Sequence, residues 1–288
     1  MFVPGYTRKF LDKATGFKAD ALLLDLEDSV PEPYKDDARK FVREYLEADR
    51  FPQQTFIRVN DIDSGMLTKD LEAGMHANVD GFMFTKVRDE NDIVYFDKLL
   101  SQMEHDYGFE AGKFKMLPLI EMGSAILRAH QIATASPRMV GLTLGGEDYL
   151  TDLDGLHKEH GTSLLVPRSL IVIAARSAHI DVLDTPYLDI RNEEGFRREV
   201  EQARELGFSG QLVLHPTQIE IANEIFSPSK EEIAEAGRIV AAIEESSEKG
   251  QGTTLLDGKL VGPPMLKRAH KVLAKAERIA LAEKNHGN

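Results

Sequence analysis

With 288 residues, no cysteine and a formal net charge of −13, the chain is long enough for one large core yet cannot form a disulfide framework, a thiolate nucleophile or a Cys-ligated zinc or iron–sulfur centre. Acidic residues run through its whole length without any basic block, which argues against a nucleic-acid groove. No window holds eighteen apolar residues and the amino terminus enters a strand-like run without a basic and then apolar leader, so the expectation is a soluble, cytoplasmic protein with no membrane and no nucleic-acid partner.

Phe2 to Pro4 reads as a short strand closed by Gly5, and Thr7 is placed to cap a helix that turns Phe10, Leu11 and Ala14 inward and ends at Gly16. Ala21 to Leu24 is a continuous apolar run, the pattern of a strand covered on both faces, and it ends in Asp25-Leu26-Glu27-Asp28. Pro31 and Pro33 punctuate the loop before a charged helix over Tyr34 to Leu46, with Ala38, Phe41, Val42 and Leu46 on one stripe. Thr55 to Val59 is the third strand, ending in Arg58-Val59-Asn60. Gly81 to Thr85 is the fourth, closing on Lys86, and Asn91 to Tyr107 is a helix with Ile93, Phe96, Leu99 and Leu100 inward.

The next two apolar runs each close on an acid. Met116 to Ile120 ends at Glu121, Met139 to Leu144 reaches Asp148 across Gly145 and Gly146, and a crossover helix over Ser124 to Ala135 lies between them. Carboxylates at the carboxyl ends of two strands suit a hard divalent cation such as Mg2+, which takes oxygen ligands and keeps waters for a substrate. The same residues also fit a plainer pattern, with Glu121 as a helix cap and Glu147 and Asp148 as solvated turn acids. Pro167-Arg168-Ser169 then starts a helix that stops before His179, Asp181 to Asp184 is the seventh strand, Glu193 to Leu206 its helix, and Leu212 to Leu214 the eighth strand, closing on His215-Pro216. Thr217 with Glu220 and Ser229 with Glu232 have capping-box spacing.

Eight strands alternating with helices predict an α/β fold, a TIM (β/α)8 barrel over residues 1–226, in which catalytic groups gather at the carboxyl ends of the strands. Asp25, Glu27, Arg58, Lys86, Glu121, Asp148, Asp184 and His215 all fall there. A doubly wound sheet would need a crevice motif, and the sequence has neither G-x-G-x-x-G nor a P-loop. Residues 227–288 follow a completed barrel: a helix over Lys230 to Ser247, a turn, an extended piece over Thr253 to Val261 and a helix over Pro263 to Glu283. They are expected to form a C-terminal helical lid or oligomerisation arm.

Six ordered motifs carry a family resemblance: Phe2-Val3-Pro4-Gly5, Leu24-Asp25-Leu26-Glu27-Asp28-Ser29-Val30, Arg58-Val59-Asn60, Leu119-Ile120-Glu121, Gly145-Gly146-Glu147-Asp148-Tyr149 and His215-Pro216-Thr217-Gln218. The chain resembles the citrate lyase β subunits of the HpcH/HpaI aldolase/citrate lyase family, whose relatives include malyl-CoA and citramalyl-CoA lyases. The resemblance implies a TIM barrel, Mg2+, a CoA-thioester substrate of citryl-, malyl- or citramalyl-CoA type, reversible cleavage of a C–C bond between an acyl-CoA and a 2-oxo acid, and a homotrimer or hexamer. It implies Glu121 and Asp148 as metal ligands, Arg58 as the group that holds the 2-oxo acid carboxylate, and Gly146 and Glu147 as substrate-binding neighbours. A guanidinium fork fits a carboxylate bidentately, although Arg58 also reads as a surface ion pair. Asp25 and Glu27 would hold metal-bound waters or orient Arg58, or else cap a helix or pair with Lys86. His215 reads as a substrate contact or a histidine satisfied by backbone, Tyr149 and Tyr187 as pocket walls or packing aromatics, and Arg8 and Lys13 as CoA-phosphate contacts or solvated charges.

One motif departs from the family. Where the lyases carry an acid–base aspartate in a tail segment, this chain has Gly258-Lys259-Leu260-Val261-Gly262-Pro263-Pro264, with Gly262 at that position. Asp257, five residues earlier, lies about 16 Å away on an extended segment. The alternatives to a lyase are therefore an Mg2+-dependent aldolase or thioesterase on a related substrate, or a non-catalytic 2-oxo-acid-binding subunit.

Overall fold

The computed structural model describes residues 1–158 and 161–286. The chain divides into two units, Met1–Ala222 and Asn223–Asn288. In the first, parallel strands β1 (Phe2–Pro4), β2 (Ala21–Asp25), β3 (Gln54–Val59), β4 (Gly81–Phe84) and β5 (Lys115–Met116) form one continuous ladder, and β6 (Leu119–Ile120), β7 (Gly141–Leu144), β8 (Asp181–Asp184) and β9 (Gly210–Gln211) form another. Pro118, which has no N–H to give a ladder, separates β5 from β6. Backbone hydrogen bonds join the two arcs there, Met116 N to Arg138 O at 2.9 Å and Val140 N to Met116 O at 3.2 Å, and again where Phe2 N donates to Val213 O at 3.0 Å. The order of strands is that of a (β/α)8 barrel, with ladders interrupted at these two seams.

Strand side chains alternate between faces. Phe2, Leu23, Phe56, Met83, Leu117, Leu119 and Leu212 meet in one buried cluster on the inner side of the strands, with Val140 and Leu183 packed against it. Their neighbours Leu22, Leu24, Ile57 and Phe82 are also buried, as expected of strands covered on both faces. The residue two places beyond each inner member points the same way. Leu23 thus leads to Asp25, Phe56 to Arg58, Leu119 to Glu121 and Leu183 to Thr185.

Several predicted elements change in detail. Thr7 occupies the N-cap of helix Arg8–Ala14 without a side-chain capping bond. The predicted crossover helix is two short helices, Gly123–Leu127 and Ala129–Thr134. Helix Leu67–Gly74, which the sequence reading passed over, buries Leu67, Asp70 and Leu71. The helix predicted to start at Pro167 starts at Thr162, because Leu164, Pro167, Arg168 and Ile171 form a buried face that extends packing one turn ahead of the proline. Thr217 lies inside helix Pro216–Phe226 with its hydroxyl 2.9 Å from His215 Nδ1. Among the described residues, no helix is long and apolar enough to cross a membrane.

The second unit holds helix Lys230–Glu248, a hairpin of β10 (Thr254–Leu256) and β11 (Lys259–Val261), and helix Pro263–His286. Ser229 and Glu232 form the complete capping box, at 3.1 and 2.7 Å. The piece read as extended reverses at Asp257-Gly258, both in the left-handed region at φ 51° and 78°, as a two-residue hairpin loop requires. Asp257 accepts from Arg238 Nη1 at 2.6 Å, so its carboxylate is engaged away from Gly262.

Candidate active site

At the carboxyl ends of the strands lies a cavity of about 370 Å³, lined by Asp25, Arg58, Glu121, Gly146, Glu147 and Asp148 among others. Strand register places the first two. Pro4, Asp25 and Arg58 are consecutive partners across β1, β2 and β3. Arg58 donates through Nε and Nη2 to the two oxygens of Asp25 at 2.7 and 2.6 Å, and its Nη1 stands 3.2 Å from Glu27. The Phe2 ring supports the guanidinium at 4.6 Å. Asp25 is fully buried. Burial opposes its ionisation, but the Arg58 charge and hydrogen bonds from Arg58, Ser29 and the Glu27 N–H prevail and hold the carboxyl below its usual range. Arg58 is raised in turn, burial being outweighed by Asp25 and Glu27. Asp25 therefore fixes the orientation of the Arg58 guanidinium.

The loop after β2 is fixed from below by a cation. Lys35 Nζ, buried, donates to the carbonyls of Leu26 and Glu27 at 2.8 Å each and to Asn60 Oδ1 at 2.7 Å. Asn60 donates back to Leu26 O at 2.8 Å and to Asp70 Oδ2 at 2.6 Å, and Asp70 accepts from Arg39 Nε at 2.7 Å. This explains the Asn60 of the third motif. It is a strut that ties the β2 and β3 loops together.

Glu121 is 2% exposed. It is held by the backbone N–H of Lys86 at 2.6 Å. Lys86 adopts φ 51° to present that N–H, a left-handed conformation that a side-chain-bearing residue enters at a cost. Burial pushes the Glu121 carboxyl up to about 8; the Lys86 N–H opposes the shift, and the charges of Asp148 and Glu27 add to it. Glu27 is likewise pushed up to about 7, by burial first, against the pull of Arg58. Lys86 Nζ stands 3.8 Å from Glu27 and 3.7 Å from Asp61.

Asp148 lines the same cavity as Glu121, and two glycines let its loop pack close. A Cβ on Gly145 would lie 2.6 Å from Glu121 Oε2, and one on Gly146 would lie 2.7 Å from Thr185 Oγ1. Gly146 instead donates its N–H to Thr185 Oγ1 at 2.9 Å, which fixes the start of helix Gly146–Asp152 and hence Glu147 and Asp148. Thr185 was missed in the sequence, although its place two residues beyond Leu183 marks it as inward-facing. Behind it, fully buried Arg168 donates to Asp184 at 2.5 Å. Burial raises the Asp184 carboxyl to about 6 against the charge of Arg168.

The donor chemistry suits a divalent cation. Glu121 is a buried carboxyl whose ionisation the charge of Arg58 offsets only in part, while Asp148 is exposed in the cavity, so the pair offers oxygen ligands on one side and room for water or substrate on the other. Among the described residues, no group of three His, Cys, Asp or Glu side chains is gathered as a metal cage. Other candidates lie elsewhere. His215 contacts Thr217, Tyr149 is buried in the core, and Tyr187 packs on Phe196 at 5.9 Å. Arg8 pairs with Glu44 and stacks on Phe41 at 4.2 Å, and Lys13 is exposed. The cavity wall opposite the acids, Pro186, Leu188, Leu212 and Leu214, was not anticipated as such.

The profile of the HpcH/HpaI aldolase/citrate lyase family matches residues 1–216. Citrate lyase subunit beta of Haemophilus influenzae is 37% identical over 278 residues, covering 96% of each chain. A (3S)-malyl-CoA thioesterase of Cereibacter sphaeroides is 35% identical over 281 residues, covering 97% of this chain and 94% of that one. The structure of CitE from Mycobacterium tuberculosis in complex with magnesium, acetoacetate and coenzyme A superposes with a TM-score of 0.78 at 29% identity over 96% of each chain.

Proposed function

The chain belongs to the HpcH/HpaI aldolase/citrate lyase family, and from that premise we propose that it is an Mg2+-dependent carbon–carbon lyase that cleaves or forms the bond between an acyl-CoA and a 2-oxo acid. The observation that carries this reading is that buried Glu121 lines one cavity with Asp148 and Arg58, with Gly145 packed against Glu121. Glu121 and Asp148 would hold the metal, which when bound supplies a Lewis acid that draws charge from a carbonyl or alkoxide oxygen. Arg58, pinned by Asp25, keeps N–H donors turned to the cavity for the carboxylate of the 2-oxo acid. The Lys86 N–H fixes the rotamer of Glu121, and Thr185 fixes the loop of Asp148. Gly146 and Glu147 line the same cavity and form the substrate's border on that side. The leucine wall keeps water from the reacting atoms.

Thioester hydrolysis is a second reading. It is favoured by Gly262, which offers no proton-transfer group where the resemblance implies an aspartate, and by relatives named (3S)-malyl-CoA thioesterase. One assay separates the two: the Mg2+-loaded protein is incubated with hydroxyacyl-CoA esters of citryl, malyl and citramalyl type. Release of a 2-oxo acid together with an acyl-CoA supports the lyase, free thiol alone supports the thioesterase, and neither product refutes both. The reading also makes the protein a cytoplasmic homotrimer or hexamer with residues 227–288 as lid and arm. Exposed Leu255 at 69% and its cross-strand partner Leu260 at 62% support it, since paired apolar side chains on an open hairpin call for cover; a monomeric mass by light scattering would exclude it.

A further inference from the structure

Resting on the placement of the metal in the reading above, we propose that Arg168 is a positioning residue of the metal centre, which acts through Asp184 and Thr185 to set the loop that carries Asp148. Arg168 is not among the residues that line the cavity. It is fully buried on helix Thr162–Ser177. Its Nη2 donates to Asp184 Oδ2 at 2.5 Å and to the Glu199 carbonyl at 3.2 Å, Nη1 donates to Gln202, and Nε has no partner among the described residues. Through this one side chain, helices Thr162–Ser177 and Glu193–Leu206 both bear on the end of strand Asp181–Asp184. A buried ion pair recovers little beyond the cost of taking its charges out of water, and an apolar pair of like volume would hold helix to strand at least as well. What the charges add here is direction.

Asp184 divides its oxygens between two tasks. Oδ2 is held by Arg168, and Oδ1 accepts the N–H of Thr185 at 2.9 Å. The Thr185 carbonyl accepts from Gln211 Nε2, and the Thr185 hydroxyl accepts the Gly146 N–H at 2.9 Å. Thr185 is thus fixed on both sides of its Cα where it meets the Asp148 loop. Clearance at that meeting is small. A Cβ on Gly146 would stand 2.7 Å from Thr185 Oγ1 and 3.2 Å from Thr185 Cβ, so a shift of Thr185 moves Gly146 with it. Asp148 lies two residues on, in the same helix Gly146–Asp152. Mg2+ tolerates little departure from its preferred arrangement of ligands, and a small displacement of that helix is therefore felt as lost affinity.

The test is a double-mutant cycle on Mg2+ affinity, measured by calorimetry on the full-length protein with Mg2+ alone. Arg168→Met is expected to raise the Mg2+ Kd about tenfold, the lower end of what partners behind a metal ligand contribute. In a Thr185→Val background, where the hydroxyl link is already gone, the same substitution should change Kd by less than about threefold. A role confined to packing helix against strand would lower stability but give the same factor in both backgrounds. That result, or an unchanged Kd in Arg168→Met, would overturn the inference. If Arg168→Met is not folded by circular dichroism, Arg168→Lys takes its place in the cycle, since an ammonium keeps a charge beside Asp184 but lacks the fork that also engages Gln202. The expected factors are then about threefold in the unaltered background and about one in Thr185→Val. Asp148→Asn tells the two possible failures apart. An Mg2+ affinity insensitive to it would remove the metal placement on which the lyase reading stands, whereas an affinity that falls with Asp148→Asn but not with Arg168→Met would remove the positioning role alone.

Discussion

Magnesium affinity is expected to climb steeply between pH 6 and pH 8. The Glu121 carboxyl is pushed up to about 8, and it must lose its proton before it can ligate a cation. At pH 6 only about one molecule in a hundred has Glu121 ionised, and at pH 8 about half, so the apparent association constant should rise about fiftyfold across that interval. Near pH 6.5 each ion bound should release about one proton. The same shift sets the stability of the metal-free protein with a definite sign. The folded state holds a proton on Glu121 that the unfolded chain releases above about pH 4.5, so stability is greatest at the acid end of this window and is lost as pH rises towards 8, by at most about 1.4 kcal/mol per pH unit for one proton. Glu27, pushed up to about 7, acts in the same direction. Calorimetric titration with Mg2+ in buffers of different ionisation enthalpy yields both the affinity and the proton count. Glu121→Gln keeps an acceptor for the Lys86 N–H but should abolish both the pH step and most of the binding. An affinity that is flat from pH 6 to pH 8, with no proton released, would refute the placement of the metal on Glu121.

Arg58→Lys replaces a fork bonded to both oxygens of Asp25 with a single ammonium and leaves a fully buried carboxylate half-satisfied; a loss of about 2 to 3 kcal/mol in denaturant unfolding is expected, with weaker 2-oxo acid binding. Thr185→Val removes the acceptor of the buried Gly146 N–H, which should cost about 1 to 3 kcal/mol and weaken Mg2+ binding measured by calorimetry, although residue 185 contacts neither metal candidate through its hydroxyl. Gly262→Asp should raise any C–C cleavage rate by roughly 10²- to 10⁴-fold, with Gly262→Ala unchanged, if the missing acid–base group is what limits turnover. The backbone permits the test, because Gly262 is not among the positive-φ positions and the nearest atom to a Cβ there would be the side-chain Thr253 Cγ2, at 3.0 Å.

Much of the site was legible because period-2 patterning carries it. Asp25, Arg58 and Glu121 each stand two residues beyond an inner-cluster residue, and an unusual charge at such a place draws attention. Thr185 obeys the same rule but bears no charge, so it was overlooked. Lys35 was hidden for another reason. A lysine in a charged helix reads as solvated, and only the folded chain brings three acceptors around its ammonium. The need for glycine at position 145 depends on the depth at which the Glu121 side chain packs, which no local pattern encodes. Pro167 misled because a proline usually opens a helix, whereas here the buried face begins a turn earlier at Leu164. Asp257-Gly258 was a strong turn signal between apolar residues that the extended reading passed over.

The interruption at Pro118 bears on how the chain breathes. Arg58 and Lys86 stand on or just beyond strands of the first arc, and Glu121 and Asp148 follow strands of the second. Across this boundary runs the Lys86 N–H bond to Glu121. A molecule that grips Arg58 at one end and a cation on Glu121 and Asp148 at the other therefore acts as a staple between half-barrels. Its binding should slow amide hydrogen exchange at Met116, Val140 and Phe2, the donors at the two seams, more than in the uninterrupted ladder from β1 to β4.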